Sequence, residues 1–145
     1  NVDSSRREPA KAALRKIVLS LDSRYSTSSV TDEQHVAFIS YVAAHLSSTH
    51  EHFWHKGRFR YGIAQKLINL QLKYLWVSGF IPEPPHCPVD GIIRDLTSLE
   101  YDWTRNDSAT DYTKAIKAIR CIASTAGLSL SEWELRSFNR RNSAT

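Results

Sequence analysis

The sequence predicts a single all-α domain of about six helices packed around a central hydrophobic helix. Apolar residues recur at spacings of three and four along most of the chain, which is the period of an amphipathic helix. No run of residues alternates between apolar and polar, as a half-buried strand would. The 145 residues have the size of one ordinary domain, and we assign residues 1–145 to it.

Composition and patterning exclude several other classes of protein. The 41% apolar and 23% charged residues are typical of a globular chain. The most apolar stretch, residues 63–81, contains too many polar side chains for a membrane-spanning helix. No signal sequence is visible, so we expect a cytoplasmic protein with reduced thiols. The sequence leaves open whether Cys87 and Cys121 pair, and whether Asn1 is the native N-terminus.

Two helices are predicted in the N-terminal third. Residues 1–7 are polar and are expected to be disordered. Pro9 suits the first turn of the first helix, where its missing N–H costs nothing. Thr31 and Gln34 form a capping box that starts the second helix. The buried stripe of this second helix is predicted to contain Phe38, Tyr41, Val42, His45 and Leu46.

The central helix is predicted over residues 61–78. Apolar side chains cover most of its circumference, and such a helix is usually wrapped by others or buried in a dimer. The segment from Pro82 to Pro88 is predicted to be extended, because each residue before a proline is pushed out of the α region. Three more helices follow: a short one from Pro88, one capped by Asp107 or Ser108, and a last one with Ser131 and Glu134 as its capping box.

A polar stripe runs along the otherwise apolar central helix. Its members recur every three or four residues and therefore share one face. They are Gly62, Gln65, Lys66, Asn69, Lys73 and Trp76. Buried amides and ammonium groups are costly unless they are paired, so such a stripe lines a wet cleft, binds an anionic ligand or meets acidic neighbours. The alternative is that Lys66 and Lys73 mark the solvated side of an ordinary helix.

The segment that leads into the central helix is basic and aromatic. From His52 to Pro82 there is no Asp or Glu, whereas five Lys and Arg occur. Cations neutralise phosphates and flat rings stack on bases, so this composition indicates a nucleic-acid surface. The predicted contact residues are Lys56, Arg58, Arg60 and Tyr61. The alternative is an amphipathic entry into the central helix, with the aromatic rings directed inwards.

Metal binding and catalysis have weaker signals. The six histidines include no Cys-x-x-Cys or His-Glu-x-x-His pattern, so we expect no metal and no cofactor. His86, Cys87 and Asp90 are close in sequence and contain the residue types of a nucleophilic site. Adjacent residues seldom reach the required orientation, and Cys87 is then a small buried hydrophobe. A hydrolase-type site near His86, Asp90 and Lys66 is kept as an alternative.

Two segments carry a distinctive pattern. Residues 62–76 fit Gly-x-Ala-Gln-Lys-x-x-Asn-Leu-x-Leu-Lys-Tyr-Leu-Trp, and residues 84–90 fit Pro-Pro-His-Cys-Pro-x-Asp. This combination resembles a family of small uncharacterised bacterial proteins that are similar to the cargo of mobile genes, including integron cassettes. The resemblance implies that the polar stripe and the proline-rich segment belong to one site or one packing unit. It implies no reaction.

Taken together, these patterns favour a small binding or interaction protein that recognises an anionic ligand, with nucleic acid as the leading candidate. The predicted ligand-binding residues are Gln65, Lys66, Asn69, Lys73, Trp76, His86 and Asp90. A hydrolase and a structural helical homodimer without a ligand are the two alternatives. No membrane contact is expected.

Overall fold

The computed structural model describes residues 4–27 and 30–143, together with the side chains of residues 7–27 and 30–138. The six helices in these ranges are α1 (Ser4–Arg24), α2 (Asp32–Thr49), α3 (Tyr61–Val77), α4 (Gly91–Thr97), α5 (Ala109–Thr125) and α6 (Leu130–Ser143). A short 3₁₀ turn, His55–Gly57, precedes α3. No strand occurs in these ranges, and the predicted all-α fold is confirmed. None of these helices is both long and apolar enough to cross a lipid bilayer.

The middle helix of the bundle is α3, which packs against both α1 and α2. Its buried apolar side chains are Tyr61, Ala64, Ile68 and Leu72. Gln65, Asn69 and Lys73 are buried beside them, whereas Tyr74 and Val77 are each 58% exposed. The polar stripe therefore faces the interior over much of its length. Because Lys73 is only 8% exposed, the interpretation that it marks a solvated side is wrong.

Side-chain caps fix where two of the helices begin. The Thr31 hydroxyl accepts the Gln34 N–H at 3.1 Å, and the Gln34 carboxamide oxygen accepts the Thr31 N–H at 3.0 Å. The predicted capping box of α2 is thus confirmed. At the start of α5, the Ser108 hydroxyl accepts the Asp111 N–H at 3.1 Å, which selects Ser108 from the two predicted caps.

The start of α6 differs from the prediction. Two Ser-x-x-Glu patterns overlap here, and the Ser129 hydroxyl, not that of Ser131, accepts a helix N–H, from Glu132 at 3.2 Å. The Ser131 hydroxyl instead donates to the Pro84 carbonyl at 2.9 Å, and Glu134 pairs with a lysine of α3. Both residues of the predicted capping box, Ser131 and Glu134, thus bind groups outside α6 instead of capping it.

Three further expectations differ in detail. Helix α1 begins at Ser4 and contains Pro9 in its interior, so residues 4–7 are helical, while residues 1–3 lie outside the described ranges. Helix α4 begins at Gly91, with Asp90 as its N-cap, rather than at the preceding proline. On α2, Tyr41 and His45 are exposed, because the buried stripe runs through different positions. The buried residues of α2 are His35, Phe38, Ile39, Val42, Ala43, Leu46 and Ser47.

Candidate functional site

A continuous series of hydrogen-bonded side chains crosses the interior of the bundle. We call it the buried polar chain, and its members in order are Tyr25, His35, Asn69, Tyr112, His86 and Asp32. The Tyr25 hydroxyl lies 2.6 Å from His35 Nδ1, and His35 Nε2 lies 2.7 Å from Asn69 Oδ1. Asn69 Nδ2 donates to the Tyr112 hydroxyl at 3.0 Å. Five segments of the polypeptide therefore meet through side-chain polar groups: the end of α1, α2, α3, α5 and the proline-rich segment.

The second half of the buried polar chain leads towards the surface. The Tyr112 hydroxyl lies 2.7 Å from His86 Nδ1, and His86 Nε2 lies 3.2 Å from Asp32 Oδ1. Asp32 is 42% exposed at its side chain and forms a bidentate ion pair with Arg120, at 2.6 and 3.2 Å. Arg120 also donates to the Pro85 carbonyl at 3.3 Å. The chain thus begins in the core and ends at a partly solvated ion pair.

The donors and acceptors of the buried polar chain fit only one arrangement of protons around Asn69. The amide oxygen of Asn69 needs a donor, so His35 carries its proton on Nε2 and accepts the Tyr25 hydroxyl at Nδ1. The amide nitrogen of Asn69 donates to Tyr112, whose hydroxyl then donates to His86 Nδ1. His86 consequently carries its proton on Nε2 and donates to the Asp32 carboxylate.

Burial keeps both histidines of the chain uncharged. Desolvation lowers the pKa of His35 to about 4, and the pKa of His86 to about 3. The two imidazole rings lie edge to face, with their centroids 4.7 Å apart, so a charge on one would also oppose a charge on the other. Burial alone would raise the pKa of Asp32, but the hydrogen bonds and charge interactions with Arg120 and His86 together outweigh it, and the pKa lies below its usual value. At neutral pH the chain contains neutral rings and one carboxylate.

A cavity of about 390 Å³ lies between α2 and α5, beside the surface end of the buried polar chain. We call it the α2–α5 cavity. Its lining from α2 is Asp32, Glu33, Val36 and Ala37, and its lining from α5 is Thr113, Ile116, Lys117 and Arg120. His86, which is only 2% exposed, reaches it from the proline-rich segment. This cavity therefore combines apolar walls with a histidine held by other side chains.

Gln65 attaches the proline-rich segment to α3. Its amide nitrogen donates to the Val89 carbonyl at 2.6 Å, and its amide oxygen accepts the Val89 N–H at 3.2 Å. The same oxygen accepts a hydrogen bond from Asn69 at 3.2 Å. The polar stripe and the proline-rich segment are thus in direct contact, and Gln65 helps to place His86, three residues before Val89.

The other members of the predicted ligand-binding set have separate contacts. The Lys73 ammonium lies 3.0 Å from a Glu134 carboxylate oxygen, in an ion pair that is almost fully buried. The Lys66 ammonium lies 4.1 Å from the centre of the Trp103 ring. Trp76 is half-buried against the core. Asp90 accepts the N–H groups of residues 92 and 93, at 3.0 and 3.1 Å, as the cap of α4.

These positions bear on the proposed catalytic arrangement. The α2–α5 cavity is lined by His86, but by neither Asp90 nor Lys66. Cys87 is 1% exposed, and burial raises the pKa of its thiol well above the ordinary value, which is unlike a reactive cysteine. The structure has Cys87 and Cys121 as free thiols. Across the described part of the chain, no cluster of three or more His, Cys, Asp or Glu side chains is arranged to hold a metal ion.

The predicted nucleic-acid segment has most of its groups engaged within the protein. Arg58 forms a bidentate pair with Asp107, at 2.7 and 3.1 Å. Arg60 donates to the carbonyl of residue 104 at 2.8 Å, and the Tyr61 ring is 3% exposed. Lys56 is exposed. The rings of residues 54 and 59 pack against each other with centroids 4.7 Å apart, and residue 59 is buried. The segment therefore has its aromatic side chains directed inwards.

Sequence reasoning missed the groups that line the α2–α5 cavity. In the sequence these groups look like ordinary charged positions near the ends or edges of amphipathic helices. They are Asp32, Glu33, Lys117 and Arg120. The available signal was His35, a titratable residue one turn before the apolar pair at 38 and 39 of α2. It indicates a buried polar partner, although it does not identify Asn69 as that partner.

No known family model matches the chain, and neither a curated protein nor a solved structure is significantly similar to it. The functional argument therefore depends on the geometry of the α2–α5 cavity and of the buried polar chain.

Proposed function

We propose that this protein binds a small amphipathic molecule with an anionic group in the α2–α5 cavity. The observation that carries the proposal is a concave, largely apolar space of about 390 Å³ with a few polar groups at its edge. Sites for small ligands are usually concave and mainly apolar, with volumes of about 300–1,000 Å³.

Each wall has a separate part in binding. The apolar body of the ligand contacts Val36, Ala37 and Ile116. The anionic group lies near Lys117 and Arg120. Because two Arg120 nitrogens already bind Asp32, the flexible ammonium of Lys117 is the more adaptable partner.

Asp32 and His86 are the members of the buried polar chain that line the cavity, and the other members support the site from behind. Asn69 and Tyr112 fix the tautomer and orientation of His86, and Gln65 fixes the segment that carries it. A binding site whose polar groups are already held in place loses less entropy when a ligand binds. Gln65 and Asn69, which the sequence marks as ligand contacts, therefore act in this proposal as positioning residues.

The test is a titration of ¹⁵N-labelled protein with hexanoate, benzoate and indole-3-acetate, followed by two-dimensional NMR. We expect saturable shifts of the amide signals of Ala37, Thr113 and Ile116. Thr113→Trp fills the cavity and should abolish these shifts, whereas Thr125→Trp, at an exposed position at the far end of the same helix, should retain them. Thermal melting of both variants checks that they fold.

Two results would contradict the proposal. One is an absence of saturable shifts with all three compounds at millimolar concentration. The other is shifts confined to Gln34 and Tyr41, which line a neighbouring cavity of about 590 Å³ that also contacts Tyr25. In the second case the protein binds small molecules, but not at the α2–α5 cavity.

Binding of nucleic acid through the basic segment has less support, because its arginines and rings have partners within the protein. Salt-dependent binding of a single-stranded oligonucleotide, lost on combining Lys56→Gln with Arg60→Gln, would favour it. The dimer hypothesis also has less support, because α1 and α2 cover much of α3. Light scattering at low protein concentration would detect a dimer.

A further inference from the structure

Four charged side chains line the α2–α5 cavity, and two of them form an ion pair with each other while the other two do not. Asp32 and Arg120 neutralise each other directly through two hydrogen bonds. Glu33 and Lys117 also line the cavity, but both are exposed. Within the described ranges, neither Glu33 nor Lys117 has an ion-pair partner. The cavity therefore has one carboxylate and one ammonium available to a bound molecule.

Helix periodicity places these two charges on opposite walls. Glu33 precedes Val36 and Ala37 by three and four residues, so the three share one face of α2. Lys117 is four residues after Thr113 and three before Arg120, so these three share one face of α5. The negative group therefore belongs to one wall of the cavity and the positive group to the other.

The depth of the lining groups gives the orientation of a ligand. Glu33 and Lys117 are exposed and therefore lie at the rim. Ile116 and His86 are each 2% exposed and lie deeper. A ligand that fits this gradient has its charges at one end and its apolar group at the other.

A single charge would fit this rim poorly. An anion beside Lys117 leaves the Glu33 carboxylate unpaired at the same rim, and a cation beside Glu33 leaves the Lys117 ammonium unpaired. A molecule with both charges gains an attractive contact on each wall and places no uncompensated charge between them.

We infer that the ligand class of this cavity is a small zwitterion with an apolar body, of which an α-amino acid with an aliphatic side chain is the simplest example. Its ammonium contacts Glu33, its carboxylate contacts Lys117, and its side chain lies against Val36, Ala37 and Ile116. This inference rests on the proposed function, because it assigns a ligand class to the same cavity.

Four probes of similar shape separate the two charges. L-Leucine has both, 4-methylpentanoate has only the carboxylate, 3-methylbutylamine has only the ammonium, and 4-methylpentanamide has neither. The readout is the dissociation constant from the NMR titration described above. Exposed ion pairs are weak, so we expect each charge to contribute about fivefold, with leucine binding at least about fivefold more tightly than either singly charged probe.

Variants of the two rim residues identify which wall holds which charge. Glu33→Gln should make leucine and 4-methylpentanoate bind equally, and Lys117→Gln should make leucine and 3-methylbutylamine bind equally. Exchange of the two charges, in Glu33→Lys combined with Lys117→Glu, should restore the preference for leucine in the opposite orientation. Glu100→Gln and Lys114→Gln, at exposed positions away from the cavity, are the matched controls and should leave all four constants unchanged.

The outcomes separate this inference from the function on which it rests. If 4-methylpentanoate binds as tightly as leucine, or if leucine does not bind while hexanoate does, the zwitterion assignment is overturned and binding in the cavity stands. If none of the four probes and none of the three carboxylates binds, both are overturned. A preference for leucine that survives Glu33→Gln and Lys117→Gln also overturns the assignment.

Discussion

Replacement of Asn69 by leucine removes the junction of the buried polar chain. Asn69 is 0% exposed and forms three hydrogen bonds. Its amide oxygen accepts one from His35, and its amide nitrogen donates to Gln65 and to Tyr112. Leucine has a similar volume but leaves the His35 Nε2–H without an acceptor. An unpaired buried donor costs about 1–3 kcal/mol and each lost hydrogen bond about 1 kcal/mol, while the added apolar contact offsets part of this. We expect a net loss of about 3 kcal/mol in the free energy of unfolding.

Urea unfolding followed by circular dichroism measures this loss. With a denaturant slope of about 2 kcal/mol/M, the midpoint should fall by about 1.5 M. Gln71→Leu, at a half-buried position of the same helix, is the control and should change stability by less than about 0.5 kcal/mol. If Asn69→Leu lowers the free energy of unfolding by less than about 1 kcal/mol, the buried polar chain does not stabilise the fold.

A second substitution separates loss of the hydrogen bond from loss of packing. His35→Phe removes the donor that Asn69→Leu leaves unpaired, so the double variant no longer has that buried N–H. We expect the double variant to lose at least about 1 kcal/mol less than the sum of the two single losses. Additive losses would mean that the two side chains do not interact in the folded protein.

Three further predictions follow from other contacts. Gly62→Ala should cost more than about 2 kcal/mol, because its Cβ would lie 1.8 Å from a carbonyl oxygen of the loop after α4, whereas Gly91→Ala meets nothing closer than 3.8 Å and should be tolerated. Urea midpoints should fall from pH 6.5 towards pH 4, since the unfolded chain binds protons at His35 and His86 that the folded protein does not bind, and His35 alone contributes about 3 kcal/mol at the lower pH; a flat profile would contradict this. Glu134→Gln should cost about 3 kcal/mol by leaving the buried Lys73 unpaired, and Lys73→Met combined with Glu134→Leu should recover much of that stability in the same assay.

The helices were predictable because their signals are local. Thr31 with Gln34 specifies the start of α2 from four residues alone. The start of α6 was not predictable to the residue, since Ser129 and Ser131 offer equivalent caps and the Pro84 carbonyl, remote in sequence, decides between them. The polar stripe was visible in the sequence, but its partners on other helices were not. Cavity residues such as Lys117 become recognisable only when α5 is placed beside α2.

A polar stripe on an apolar helix has two meanings, and the neighbouring helices distinguish them. If the stripe faces water, the stripes of the surrounding helices remain wholly apolar. Here the buried stripe of α2 contains His35 and that of α5 contains Tyr112, each apolar in its ring and polar at one edge. Such residues satisfy an internal amide without introducing a charge. A His or Tyr within the buried stripe of a neighbouring helix therefore indicates that Asn69 faces inwards. The structure agrees, since Asn69 forms hydrogen bonds of 2.7 Å to His35 and 3.0 Å to Tyr112.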